Sequence, residues 1–139
     1  MKTRRHCLAA LLATTLPGVG LPVRAQTPPS QGPVTDEAWT DAARQRAVPV
    51  RLLWPDAARF AGPWPVVIFS HGLGGTRDGG STWGEAWAAA GFVVVHLQHP
   101  GSDLTAVRGV TNRFTDQRAL RTLAGPQQLL ARLRDVGFA

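Results

Sequence analysis

Two stretches of the chain are almost continuously apolar rather than alternating. Pro65–Ser70 (PVVIFS) and Phe92–Leu97 (FVVVHL) are rich in β-branched residues, which suits strands buried on both faces of a parallel sheet. Between them lies Ser81–Gly91 (STWGEAWAAAG), with Trp83, Trp87 and Ala90 at i, i+4 and i+7. That is the spacing of one helical face. Ser81 or Thr82 serves as N-cap, Glu85 completing a capping box with Thr82, and Gly91 suits the C′ position. Strand, helix and strand in this order form a βαβ unit with a right-handed crossover.

The flanking segments are less regular. Ala47–Trp54 (AVPVRLLW) has strand composition, but Pro49 cannot donate to a ladder, which assigns it to an edge strand or a strand's first residues. Residues 26–46 read as a flexible leader. Its first part, QTPPSQGPVT, is rich in Pro and Gly with little to bury, and Asp36–Arg46 offers only a short helical turn capped by Thr35. Pro55–Pro63 reads as turns and His99–Arg113 as a long polar loop. Gly125-Pro126 opens a last helix, Pro fitting the first helical position. Leu129, Leu130, Leu133 and Val136 share its apolar face, with Gln127, Arg132 and Asp135 elsewhere. The class is α/β, residues 47–139 forming one partial domain, and no repeat is visible.

The N-terminus changes the charge picture. Lys2, Arg4 and Arg5 precede an apolar run from Cys7 to Leu21, and Val23 and Ala25 fit the small-residue positions of a cleavage site before Gln26. Residues 1–25 therefore read as a secretory signal peptide and the protein as exported, periplasmic or secreted. Thr3-Arg4-Arg5 with Leu8 also resembles a twin-arginine signal. The run is too short, and too broken by Pro17, Gly18 and Gly20, for a stable membrane anchor. Of the formal net charge of +6, only +2 remains after cleavage, carried by eleven dispersed Arg against nine acids. That pattern excludes an electrostatic footprint for nucleic acid. Cys7, the one cysteine, leaves with the signal, so neither a disulfide nor a thiol nucleophile is expected.

The first strand runs into Ser70-His71-Gly72-Leu73-Gly74-Gly75-Thr76-Arg77-Asp78-Gly79-Gly80, a loop holding five glycines. Three readings compete. In a dinucleotide fingerprint the third glycine would stand where Arg77 is, and no Gly-Lys-Ser/Thr follows for a phosphate loop. The glycines could serve only to turn the chain, since Gly accepts positive φ. Or a backbone N–H after His-Gly could face a developing oxyanion in acyl transfer.

Taken in order, PVVIFSHGLGGTRDGG, AWAAAGFVVV and HPGSD resemble the N-terminal half of an α/β-hydrolase. The nearest likeness is to dienelactone hydrolase-like and platelet-activating-factor acetylhydrolase-like esterases. The resemblance spans roughly residues 47–139. It implies a Ser-His-Asp hydrolase of small-molecule carboxylic esters, using no cofactor or metal. It also implies that the backbone N–H of Leu73 is an oxyanion-hole donor and that His71 braces the loop.

Such enzymes carry the nucleophile on a G-x-S-x-G elbow, with the Asp and His following. None of the four serines fits: Ser30 lies in the leader, Ser70 follows Ile68 by two, Ser81 precedes Trp83 by two, and Ser102 sits between Pro100 and Leu104. A Ser70–Asp78–His99 set has the right order, but no spacing rule brings the three together. His96 and His99, three apart on an extended segment, face opposite sides and fall short of the three protein ligands of catalytic zinc. The expectation is a chain that stops before the elbow strand, lacks its triad and is inert alone. The competing expectation is a non-catalytic exported binding or decoy module derived from a hydrolase.

Overall fold

The computed structural model describes residues 30–111, 113 and 115–139; the expected signal peptide, residues 1–25, and the first residues of the expected leader lie outside them. Four strands and four helices follow in the order β1 (Val34–Asp41), β2 (Arg46–Leu53), β3 (Val66–Ser70), α1 (Ser81–Ala89), β4 (Val93–Leu97), α2 (Leu104–Val110), α3 (Gln117–Leu123) and α4 (Pro126–Phe138). The sheet order is β1-β2-β4-β3. Only β3 and β4, joined through α1, run parallel; β2 is antiparallel to both β1 and β4. The class is α/β, but the sheet is mixed rather than mostly parallel.

β4 is buried along its whole length and splits the core between two faces. Val95 and Leu97 join Val48, Val50 and Leu52 beneath Trp39, Trp54 and Val136. Val94 joins Leu53 and Ala88 on the face covered by α1. β3 departs from expectation: as the outer strand it leaves Val66 60% and Ile68 38% exposed. A continuous apolar run therefore does not mean burial on both faces here.

Three further expectations are corrected. The leader is not flexible through residue 46, because Val34–Asp41 forms eight Cα-paired positions with β2. Its composition is poor for a strand, and a bidentate pair of Arg51 with Asp36 at 2.8 and 2.9 Å helps to hold it. β2 is consequently an interior strand despite Pro49. Its pairing with β4 begins only at Val50, so the missing proline N–H falls at the ladder's end, while the Pro49 carbonyl still accepts from Gln98. The third concerns the stretch from His99 to Arg113, which is not all loop: α2 lies within it, capped by Asp103, whose carboxylate accepts from the Ala106 N–H at 3.0 Å.

At α1 the expected capping box is absent. Gly80 is the N-cap, at φ 74° with no side-chain cap, and a Cβ there would strike the Phe69 ring. The C-terminal expectation holds: Gly91, at φ 99°, donates to Ala88 and Phe92 donates to Trp87, the paired bonds of a Schellman motif.

Gly84 sets how closely α1 approaches β4. A Cβ at this position would overlap Nε2 of His96 and lie 3.3 Å from Leu53. The imidazole cannot swing aside, being stacked on Phe69 at 4.6 Å and bonded through Nδ1 to the Gly79 carbonyl. Gly84→Ala should therefore destabilise by about 1–3 kcal/mol through overpacking, although alanine is the better helix former. A urea-midpoint comparison with wild type checks this; a stabilised variant would refute the close packing.

Candidate active site

Because β3 and β4 are parallel with Ser70 opposite Leu97, their C-terminal ends deliver two loops to the same place. The glycine loop leaves β3 at His71, and the His99-Pro100-Gly101-Ser102-Asp103 turn leaves β4. Backbone bonds lock them together: Gly74 donates to Ser102 at 2.8 Å and Leu104 donates to Gly75 at 3.0 Å. Gln98 adds a polar clamp, accepting from the Arg77 N–H at 2.8 Å and donating to Asp103 at 2.7 Å.

His71 lies between these loops, only 3% exposed. Its Nδ1–H donates to the Gly72 carbonyl at 2.7 Å, which leaves Nε2 to accept from the His99 N–H at 3.2 Å. Burial holds this imidazole below its ordinary pKa, so it is neutral. Gly75 turns back over the ring, and a Cβ there would stand 2.9 Å from the His71 Cβ. Within the loop the Gly74 and Gly75 N–H groups are engaged, whereas the Leu73 N–H has no hydrogen-bond partner among the described residues. Leu73 is exposed and lines a depression of about 320 Å³ with Ser102, Leu129 and Arg132.

The helix α4 completes the site, though not with its expected face. Leu129, Leu130 and Leu133 are 51–58% exposed, while Asp135 is fully buried and Val136 packs on the core. Asp135 accepts from Arg44 at 2.8 Å, from Arg46 at 2.8 and 3.0 Å, and from His99 Nδ1 at 2.9 Å. Burial works to raise its pKa, but the hydrogen bonds from Arg46, His99 and Arg44 outweigh this and hold the carboxyl below its ordinary value. On the other side of His99, Nε2 lies 2.8 Å from Ser70 Oγ. With Nδ1–H committed to Asp135, Nε2 is the acceptor and the serine hydroxyl the donor. Arg132, half-buried on α4, donates to Ser70 Oγ at 3.0 Å, to Ser102 Oγ at 3.1 Å and to the His71 carbonyl.

A Ser–His–acid arrangement thus exists among residues read as lacking one. Ser70 and His99 do meet, but the acid is Asp135; Asp78 instead pairs with Arg51. Asp135 is 36 positions beyond His99, and no local pattern marks it. His96 faces α1, away from His99, and no group of three or more His, Cys, Asp or Glu among the described residues could hold a metal ion. Nor is any helix among them long and apolar enough to cross a membrane.

A family model described as platelet-activating factor acetylhydrolase, isoform II, matches residues 40–126. The match takes in Ser70, the glycine loop and His99, whereas Arg132 and Asp135 lie beyond it. A comparison with curated proteins gave no match.

Proposed function

The chain belongs to the platelet-activating factor acetylhydrolase isoform II family of the α/β-hydrolase superfamily, and from that premise we propose that it supplies the oxyanion-binding front of an exported carboxylic ester hydrolase. The reaction is acyl transfer through a serine, with a small-molecule ester as substrate. The observation that carries this reading is the Leu73 N–H, which has no partner among the described residues and directly precedes the engaged Gly74 and Gly75 amides in a loop braced by His71. A donor held rigid before substrate arrives stabilises the developing alkoxide without reorganising, which is where such sites gain most.

In this reading an elbow serine is contributed by a further strand seated on the free edge of β3. The exposed Val66 and Ile68 side chains on that outer strand support this, since an apolar, unprotected edge is costly to leave open. Sequencing beyond the codon for Ala139 tests the proposal: a short β-rich run and then G-x-S-x-G are expected within about a dozen residues, given usual αβ loop lengths. In the enzyme so completed, Leu73→Ala should keep its activity. Leu73→Pro, which deletes the donor, should lower kcat by roughly 10²–10³, with circular dichroism confirming an intact fold. Absence of the motif, or equal kcat for the proline variant, would refute the proposal.

A further inference from the structure

We propose that Ser70, His99 and Asp135 form a working relay in which Ser70 is itself an acyl-accepting nucleophile, so that the chain reacts with activated esters without an elbow serine. This goes beyond the oxyanion-loop reading and reverses the expectation that the chain is inert alone.

The geometry is that of an activated serine. Ser70 Oγ is 2.8 Å from His99 Nε2, and His99 Nδ1 is 2.9 Å from Asp135, both within the reach required of a nucleophile, its base and the group that orients the base. His99 and Asp135 are fully buried, where charge interactions are strong, yet Ser70 is exposed at the sheet's outer strand. A structural role would account for the buried ion cluster and for a donor on Nε2 alike; what marks Ser70 is that the hydroxyl so paired is open to a reagent. Asp135 would orient the ring without Ser70, since Arg44 and Arg46 already complete the carboxylate's bonding.

Arg132 supplies a second element. Its guanidinium makes no salt bridge among the described residues and donates only to neutral oxygens, those of Ser70, Ser102 and the His71 carbonyl. A cation that makes no direct ion pair and stands 3.0 Å from Oγ favours the alkoxide. Arg132 also lines the same depression as Leu73, so a carbonyl oxygen seated there would meet donors from both.

The chemistry balances within these groups. As Ser70 Oγ bonds to the acyl carbon, its proton passes to His99 Nε2 and the carbonyl π pair moves onto oxygen, facing Arg132 and the Leu73 N–H. Collapse re-forms the carbonyl, breaks the bond to the leaving group, and His99 returns the proton to the departing oxygen. Water then attacks the acyl-serine, again losing its proton to His99, which restores the Ser70 hydroxyl as the acid departs. Arg44 and Arg46 share the Asp135 carboxylate and so weaken its support of the imidazolium. Good leaving groups are therefore required, such as nitrophenolate or fluoride.

The test uses the full chain and a fluorophosphonate probe, followed by peptide mapping. An adduct on Ser70 is expected in the wild-type protein, whose mapping needs no variant. Ser70→Ala, at an exposed position, should abolish it and reduce p-nitrophenyl acetate cleavage to the background rate. His99→Gln should slow labelling by roughly 10²–10⁴, the usual share of a general base, and Ser81→Ala should change nothing. A probe that labels a control serine esterase but leaves Ser70 unmodified would overturn the proposal, as would an adduct on another serine or undiminished labelling of Ser70→Ala. The test is made on the 139-residue chain, whose four serines include none on a G-x-S-x-G elbow, so this proposal and the previous one fail separately.

Discussion

Replacing Asp135 with alanine should cost about 3–5 kcal/mol, the range for removing one partner of a buried ionic cluster. The carboxylate is fully buried and accepts from Arg44, Arg46 and His99. Without it, two guanidinium groups face each other across a cavity, and the His99 Nδ1–H loses its acceptor. Some of this is recoverable, because the Arg44 and Arg46 side chains are 20% and 22% exposed and can turn toward water. The lower half of the range is therefore expected for alanine, and less for asparagine, which retains an acceptor. The exposed Arg51–Asp36 pair provides the contrast: Asp36→Asn should cost no more than about 1 kcal/mol despite similar distances. Urea midpoints of the three variants check the ordering. With whole-domain stabilities commonly near 5–15 kcal/mol, the alanine variant should be visibly weakened; a loss equal to that of Asp36→Asn would remove Asp135 from its role as a hub.

That residue also marks the limit of what local pattern reveals. β3, α1 and β4 were legible because each is a short periodic or apolar run between turn residues, and the glycine loop because a His-Gly-x-Gly turn after a strand is a local feature. β1 was not, since its stability comes from pairing with β2 rather than from its own composition. At α4 periodicity located the helix and its apolar face correctly, but it does not say which face meets the sheet. The bonds of Asp135 to Arg44 and Arg46 anchor the helix by its polar side, and Leu129, Leu130 and Leu133 are left outward. The same anchoring brings Arg132 to Ser70 and Asp135 to His99. Those contacts join positions 62 and 36 apart in the chain, so no spacing rule could have paired them.

Mild acid should weaken the fold well before the carboxylates titrate. His71, His96 and His99 are at most 3% exposed, and burial, the largest cause in each, holds all three below the ordinary value near 6.5. The groups around them do not reverse this. Around His99, the Asp135 bond favours the proton while Arg132 and His71 oppose it; around His71, the Gly72 carbonyl and Asp103 favour it while Arg132 opposes it. At His96, the Gly79 and Arg77 carbonyls and Asp78 favour the proton and Arg51 opposes it. As pH falls below about 6.5 the unfolded chain takes up protons that the folded chain refuses, so stability is complete above that pH and declines below it. Each group can contribute a slope of up to about 1.4 kcal/mol per pH unit, hence roughly 4 kcal/mol per unit while all three act together. Asp135 adds a later step: its folded pKa is depressed, so its contribution persists below pH 5 and is lost only as pH falls through that lowered value. Urea midpoints measured from pH 8 to pH 5 should be level at first and then drop steeply. A flat profile would mean that the three imidazoles titrate alike in both states and are not buried neutral. While the fold survives, the depressed pKa keeps His99 unprotonated, so labelling of Ser70 should continue below pH 6.5 and cease only where the structure itself gives way or His99 finally gains its proton.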